Sequence, residues 1–204
     1  MTSAAPSTSF FDRIHWLGSE IVLGTLIAAL SVFTGVASYQ GSMSDSDQNK
    51  YQNEGMQTLT DANAEYLTAN QYIVYDYSLY DNWAVNEAGD KADYYKSSFS
   101  ASLTDAMTVT PDDPFSDAYY VSMYKEAEEK SAASDAKFAL AEQFNERGDK
   151  LQLVMLITAI GLAFAAWASL LNETSRMRLL FAALAVITTV LGILAYLTVP
   201  AVAV

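Results

Sequence analysis

The segment Asp45-Ser46-Asp47-Gln48-Asn49 sets two carboxylates and a carboxamide at alternate positions, the way a calcium loop begins. An EF-hand loop also needs glycine at its sixth position and a bidentate glutamate at its twelfth, where this chain carries Lys50 and Met56. The metal reading fails at the turn and at the strongest ligand, and the segment reads as a polar cap or helix extension. Asp112, Asp113 and Asp117 gather around Pro111 and Pro114. Weak divalent binding is open to them, but capping of the next helix by Asp113 or Ser116 accounts for them more simply. Glu126, Glu128 and Glu129, interleaved with Lys125 and Lys130, read as a solvated helical face. The chain has no cysteine and one histidine, His15. That removes thiolate metal sites, cysteine nucleophiles and multi-histidine sites, and speaks against a Ser-His-Asp triad. No catalytic residue, metal or cofactor is assigned, and the chain reads as non-enzymatic.

Aromatic side chains carry the second kind of chemistry, which is contact. Tyr72, Tyr75, Tyr77, Tyr80 and Trp83 form the densest group, and Tyr94, Tyr95, Tyr119, Tyr120 and Tyr124 are expected to approach it. About half of these rings suit the core of a thin helical bundle, and the rest suit a docking surface. The expected contact residues are Tyr72, Tyr75, Tyr80, Trp83 and Tyr94, with Pro111, Asp113 and Pro114 at the proline joint. His15 and Glu20 read as solvated groups at a membrane edge. The sequon Asn172-Glu173-Thr174 falls on the side expected to face the cytoplasm, which removes its usual meaning.

The elements that would position these residues follow from where charge is missing. No Asp, Glu, Lys or Arg occurs in Ile21–Ser44, Leu151–Asn172 or Leu179–Val204. Crossing about 30 Å of hydrocarbon takes about 20 apolar residues, so each run predicts a transmembrane helix. The first lies near the N-terminus, but it is longer than a signal-peptide core and Arg13 is the only Lys or Arg before it, so it reads as a retained span. Trp16, Tyr39, Trp167 and Tyr196 lie near span ends, where amphipathic rings prefer the headgroup level. Each span carries small residues at helical spacing: Gly24, Ala28, Ser31 and Gly35; Thr158, Gly161 and Ala165; Ala182, Ala185, Thr189 and Gly192. These stripes are expected to pack the three spans against one another. No span carries an internal charge, which disfavours conduction by a lone chain.

Residues 41–149 hold 21 acidic and 7 basic side chains, a net −14, and 11 of the 13 tyrosines; the rest of the chain is +1. Leu59, Ala62, Tyr66, Ala69, Ile73, Tyr80 and Trp83 follow three- and four-residue steps, with one step skipped at Asp76. Tyr120, Tyr124, Ala127, Ser131, Ser134, Phe138 and Ala141 do the same on a return arm, and both read as seams of a coiled-coil-like pairing. Helices are expected from about Ser44 to Ala88, over Asp90–Thr108, and from Phe115 to Asp149 and on into the second span. The breaks fall at Gly89 and at Thr110–Pro114. The alternative is a compact four-helix bundle with the first helix broken near Gly55.

The predicted fold is all-α, with three transmembrane helices and an acidic helical hairpin or bundle inserted between the first and second. The divisions are 1–15, 16–40 (span), 41–149 (acidic domain), 150–171 (span), 172–178 (basic loop), 179–200 (span) and 201–204. Arg13, Arg176 and Arg178 share one side, which the positive-inside rule places in the cytoplasm of a cell-membrane protein, with the acidic domain outside. One span, a helical insert and a close pair of spans, with Tyr51-Gln52 after the first span and Phe138-Ala-Leu-Ala141 leading to Leu151-Gln-Leu153, resemble a bacterial family of three-pass membrane proteins of unknown function with a coiled-coil insert. That resemblance implies no activity. The expected partners are the lipid bilayer and other membrane proteins or further copies of the chain, and the net charge of −13 argues against nucleic acid. The expected role is a scaffold or accessory subunit. The alternative is a sensor-like receptor whose helical domain binds a small ligand and signals through a partner.

Overall fold

The computed structural model describes residues 15–86 and 88–203. After a short 3-10 turn at His15–Gly18 come α1 (Glu20–Asn86), α2 (Asp90–Ser97), α3 (Ala101–Val109), α4 (Asp117–Leu170) and α5 (Arg176–Leu197), and among the described residues there is no strand. Helices α1, α4 and α5 are long and apolar enough to cross a membrane, and their most apolar windows have mean hydropathy 2.1, 2.2 and 2.4. Only 17%, 28% and 22% of those windows is buried. In water each such exposed Leu or Ile would forgo about 1.5–3 kcal/mol of burial energy. In hydrocarbon there is nothing to forgo, so an outward apolar surface is what a membrane span should have.

Two compact units divide the chain: Met1–Asn49 with Leu140–Val204, and Lys50–Ala139. In the first, α1 buries Leu23, Leu30 and Ala37, α4 buries Leu151, Val154, Thr158, Ala165 and Ala168, and α5 buries Ala182 and Ala185. Backbone groups in hydrocarbon must be satisfied internally, which helices do by construction. The span hydroxyls follow the same rule: Thr188 and Thr189 donate back to Leu184 and Ala185 carbonyls, and Thr34 Oγ1 donates to Thr158 Oγ1 at 2.8 Å. Trp16 and Trp167 are exposed at one end of this unit and Tyr39 at the other, where Tyr196 donates to Gln40.

In the second unit, Gly55, Ala62, Ala69, Ile73, Asp76 and Leu79 of α1 are buried, as are Ala127 and Ser134 of α4. Ile73, Leu103, Ala106 and Tyr119 form its core, with Tyr80, Phe99, Phe115 and Met123 packed on it. Of the positions expected on the two seams, Ala62, Ala69, Ile73, Ala127 and Ser134 are buried, whereas Tyr66 stays half exposed with its ring stacked on Tyr124 at 4.8 Å, and Tyr119 rather than Tyr120 goes inside.

Two helix boundaries differ from expectation, and the alternative break near Gly55 does not occur. The first span and the next helix are one uninterrupted α1, because Gly41 and Ser44 are buried rather than looped out; a Cβ on Gly41 would meet Leu151 at an ordinary 3.6 Å. Gly55 does not break α1 either. A Cβ there would stand 2.8 Å from the Phe138 ring, and the Gly55 carbonyl accepts from Ser134 at 2.9 Å, so the glycine permits close approach of α4. The helix expected over 90–108 is split, because Ser100 takes an extended backbone and its side chain accepts from the Leu103 N–H, starting α3 afresh. The break at Gly89 is present, with φ at +105°, a value that favours glycine. Helix α4 runs from Asp117 through Lys150 into the second apolar run, as expected.

Candidate functional site

The most unusual polar group of the second unit is Asp76, only 1% exposed. Helix α1 carries it into the core at a position where its neighbours along the seam are Ile73 and Leu79. Three donors converge on it. Its Oδ1 accepts from the Ser100 N–H at 2.9 Å, and its Oδ2 accepts from the Tyr119 hydroxyl at 2.8 Å and, at very short range, from the Ser100 hydroxyl. The carboxylate thus ties α1 to the start of α3 and the first turn of α4. Donors of this kind are what make a buried charge tolerable. Tyr119 is held protonated well above the ordinary phenol range, first by burial and then by its hydrogen bond to Asp76. Tyr120, hydrogen-bonded to Tyr77 and partly desolvated, is pushed up to about 12.

Beside Ser100 a cleft of about 360 Å³ opens between α1, the start of α3 and α4, lined among others by Glu65, Thr68, Tyr72, Ser102 and Ser122. Its two carboxylates are engaged: Lys130 Nζ lies 2.6 Å from Glu65 and 3.1 Å from Glu126. Those two hydrogen bonds, Glu65 first, raise the Lys130 pKa. Hydroxyls and one tyrosine face are what remain for a ligand.

The residues expected to make contacts separate by environment. Tyr72, Tyr75 and Tyr94 are 55%, 60% and 66% exposed. Pro111 and Asp113 are exposed too, whereas Pro114 is buried. Tyr80 and Trp83 are half-buried, packed on each other and on Phe99. Tyr119, Tyr120 and Tyr124 join the α1 aromatics, whereas Tyr94 pairs with Tyr95 at 5.7 Å. Ser116 opens α4 through its carbonyl, which accepts from Tyr119 N–H at 2.9 Å, while its hydroxyl sits 3.4 Å from that of Thr110. His15 belongs to the described 3-10 turn, and Arg13 lies outside the described residues. No group of three or more His, Asp or Glu among the described residues converges as metal ligands would.

The first unit presents a face that sequence reasoning assigned differently. In α4 and α5 the small residues do pack inward, as expected: a Cβ on Gly161 would meet Thr188 Oγ1 at 2.6 Å, and one on Gly192 would meet Thr158 Cγ2 at 2.7 Å. In α1 they do not. Gly24, Ala28, Ser31 and Gly35 are all exposed, and a Cβ on Gly24 or Gly35 would meet nothing within 4 Å. The α1 residues that pack internally are Leu23, Leu30 and Ala37, on another side of the helix. Next to the small residues Thr25, Ala29, Val32, Val36 and Tyr196 line an open apolar groove.

No protein-family model, curated protein or solved structure matches this chain.

Proposed function

We propose that this chain is a non-enzymatic cell-membrane protein, a scaffold or accessory subunit that works by assembly. Three spans hold it in the bilayer and residues 41–149 stand outside the membrane as an acidic helical domain. The observation that carries the reading is the uncovered small-residue stripe of α1. Lipid tails and leucine are equally apolar, so helices in a membrane associate by close van der Waals fit, and small residues make that fit possible. Gly161 of α4 and Gly192 of α5 are already used against Thr188 and Thr158, whereas a Cβ on Gly24 or Gly35 would meet nothing within 4 Å. A second copy, or a helix of another membrane protein, fits there. The exposed Tyr72, Tyr75 and Tyr94 supply the kind of amphipathic surface that interfaces outside the membrane favour.

Native mass measurement in mild detergent tests this. The chain should run as an oligomer or with a stoichiometric membrane partner, and Gly24→Ile with Gly35→Ile should release a monomer of unchanged helix content. A wild-type chain that is monomeric and partner-free in native membranes and in detergent removes the proposal. Sidedness is tested separately, since the chain has no native cysteine. A cysteine at Asp113 should react with an impermeant thiol reagent on intact cells. Reaction only after permeabilisation puts the acidic domain in the cytoplasm.

A further inference from the structure

At the end of the first unit that carries Trp16 and Trp167 lies a buried cation without a carboxylate. Arg178 is 3% exposed. Its Nε donates to the Gly18 carbonyl at 2.7 Å, and Nη1 donates to the Leu171 carbonyl at 2.8 Å, just past the end of α4. Two backbone carbonyls therefore fix the guanidinium between the start of α1, the end of α4 and the first turn of α5. Nη2 is buried and has no hydrogen-bond partner among the described residues. No carboxylate among them pairs with Arg178, and Glu20 and Glu173 are both exposed.

The helix end on which it stands adds positive charge. The first turn of α5 contains Arg176 and Arg178 and no acidic residue, and its N-cap residue, Ser175, makes no side-chain cap. A helix N-terminus carries about half a positive charge and ordinarily attracts carboxylates, so cations there are the reverse of the usual pattern. A buried guanidinium with one unpartnered nitrogen therefore stands on a helix N-terminus that has no side-chain cap. An anion completes both the unpartnered Nη2 and the helix end, and phosphate is the common group that does so.

From this arrangement we infer that Arg178 and the first turn of α5 form a binding site for a phosphate group, borne by a lipid of the adjoining leaflet. The depth supports the lipid source: Trp16 and Trp167, 62% and 60% exposed, ring the same end and mark the headgroup level. Such a site fixes the junction of the three spans only while phospholipid is present.

Thermal unfolding of the full chain in a maltoside detergent tests it, with three additives: phosphatidylglycerol, inorganic phosphate, and galactosyl diacylglycerol as a phosphate-free lipid. The readout is the rise in Tm caused by each additive, which is readable even in a destabilised variant. Phosphatidylglycerol should raise the Tm progressively with concentration and galactosyl diacylglycerol should not. The rise should vanish in Arg178→Gln and shrink in Arg178→Lys, which keeps charge but loses the fork; the lysine variant carries the test where the glutamine variant does not fold. A rise of the same size with inorganic phosphate upholds the phosphate site and moves its ligand to the aqueous phase. An undiminished rise in either variant, an equal rise with galactosyl diacylglycerol, or no rise in the wild type overturns the inference.

Discussion

Replacing Asp76 by alanine should cost the second unit about 3–5 kcal/mol, the usual consequence of removing one side of a buried charged interaction and orphaning the other. Three donors lose their acceptor at once: the Ser100 N–H, the Ser100 hydroxyl and the Tyr119 hydroxyl. The Ser100 hydroxyl also accepts from Leu103 N–H, so disorder at this point undoes the cap of α3 as well. Hydrogen exchange on the full chain in detergent would report it: amides of α3 and of α1 around Ile73–Leu79 should lose protection, while those of Leu151–Leu170 keep theirs. Asp76→Asn is the control. Its carboxamide oxygen still accepts from Ser100 N–H, and its NH2 donates to the two hydroxyls, so its cost should be about 1–2 kcal/mol. Equal protection in the alanine variant and the wild type would show that the carboxylate is not what holds α3 in place.

The same group sets an alkaline limit. Tyr119 keeps its proton well above the ordinary phenol value because it is buried and donates to Asp76. In the unfolded chain it titrates near the model phenol value, about 10. Above that pH the unfolded state binds fewer protons than the native state, so stability falls as pH rises; below it the Tyr119 contribution is complete. Phenolate absorbance should therefore show a final ionisation step that coincides with the loss of helix. Tyr119→Phe should shift that final step to higher pH, at a cost of roughly 1–2 kcal/mol near neutrality from the lost hydrogen bond to a charged acceptor. A final step unchanged in Tyr119→Phe would assign the limit to another group.

Asp76 was visible in the sequence only as a gap. It interrupts a run of seam positions between Ile73 and Tyr80, and a carboxylate at a seam position must find donors or remain outside. Its partners were not legible, because Ser100 reaches it only through the restart of α3. That restart did have a local signal, the cluster Ser97-Ser98-Phe99-Ser100, which marks a loop and an N-cap more readily than helix interior. Continuity of α1 through Gly55 was the leading expectation, whereas its continuity across Gly41, from the first span into the next helix, was not. Glycine weakens helix propensity; at Gly55 the missing side chain helps packing, since a Cβ would stand 2.8 Å from the Phe138 ring, whereas at Gly41 a Cβ would meet Leu151 at an ordinary 3.6 Å. The three apolar runs were plain because hydropathy depends on composition alone. Which face of each run is covered does not: in lipid a leucine face and a glycine face are equally at home, so the stripe on α1 and those on α4 and α5 look alike until the helices are assembled.

That difference yields the other large effect. Gly161 and Gly192 form a reciprocal contact, each facing a threonine of the opposite helix. A Cβ at Gly161 would stand 2.6 Å from Thr188 Oγ1 and 3.4 Å from Leu30 Cδ1, and one at Gly192 would stand 2.7 Å from Thr158 Cγ2. Neither threonine has an easy retreat. Thr188 donates back to the carbonyls of Leu184 and Ala185, while Thr158 donates to Val154 and accepts from Thr34 of α1. Displacing Thr158 from α5 therefore strains the link between α1 and α4 as well. Overpacking of this kind costs about 1–3 kcal/mol. Alanine regains up to about 1 kcal/mol through its better helix propensity, so Gly161→Ala and Gly192→Ala should be near neutral to mildly destabilising. Leucine gains little more propensity and adds volume with nowhere to go, so Gly161→Leu and Gly192→Leu should be strongly destabilised and additive only in part, because both act on one interface. At Gly24 and Gly35, both exposed, a Cβ would meet nothing within 4 Å, so the matched changes Gly24→Leu and Gly35→Leu should leave the thermal unfolding of the dissociated monomer unchanged. The comparison of leucine at 161 with leucine at 24 separates packing from propensity, since both substitutions replace helical glycine by the same residue. Equal Tm values for the two, measured on the dissociated monomer, would mean that α4 and α5 do not meet across these glycines.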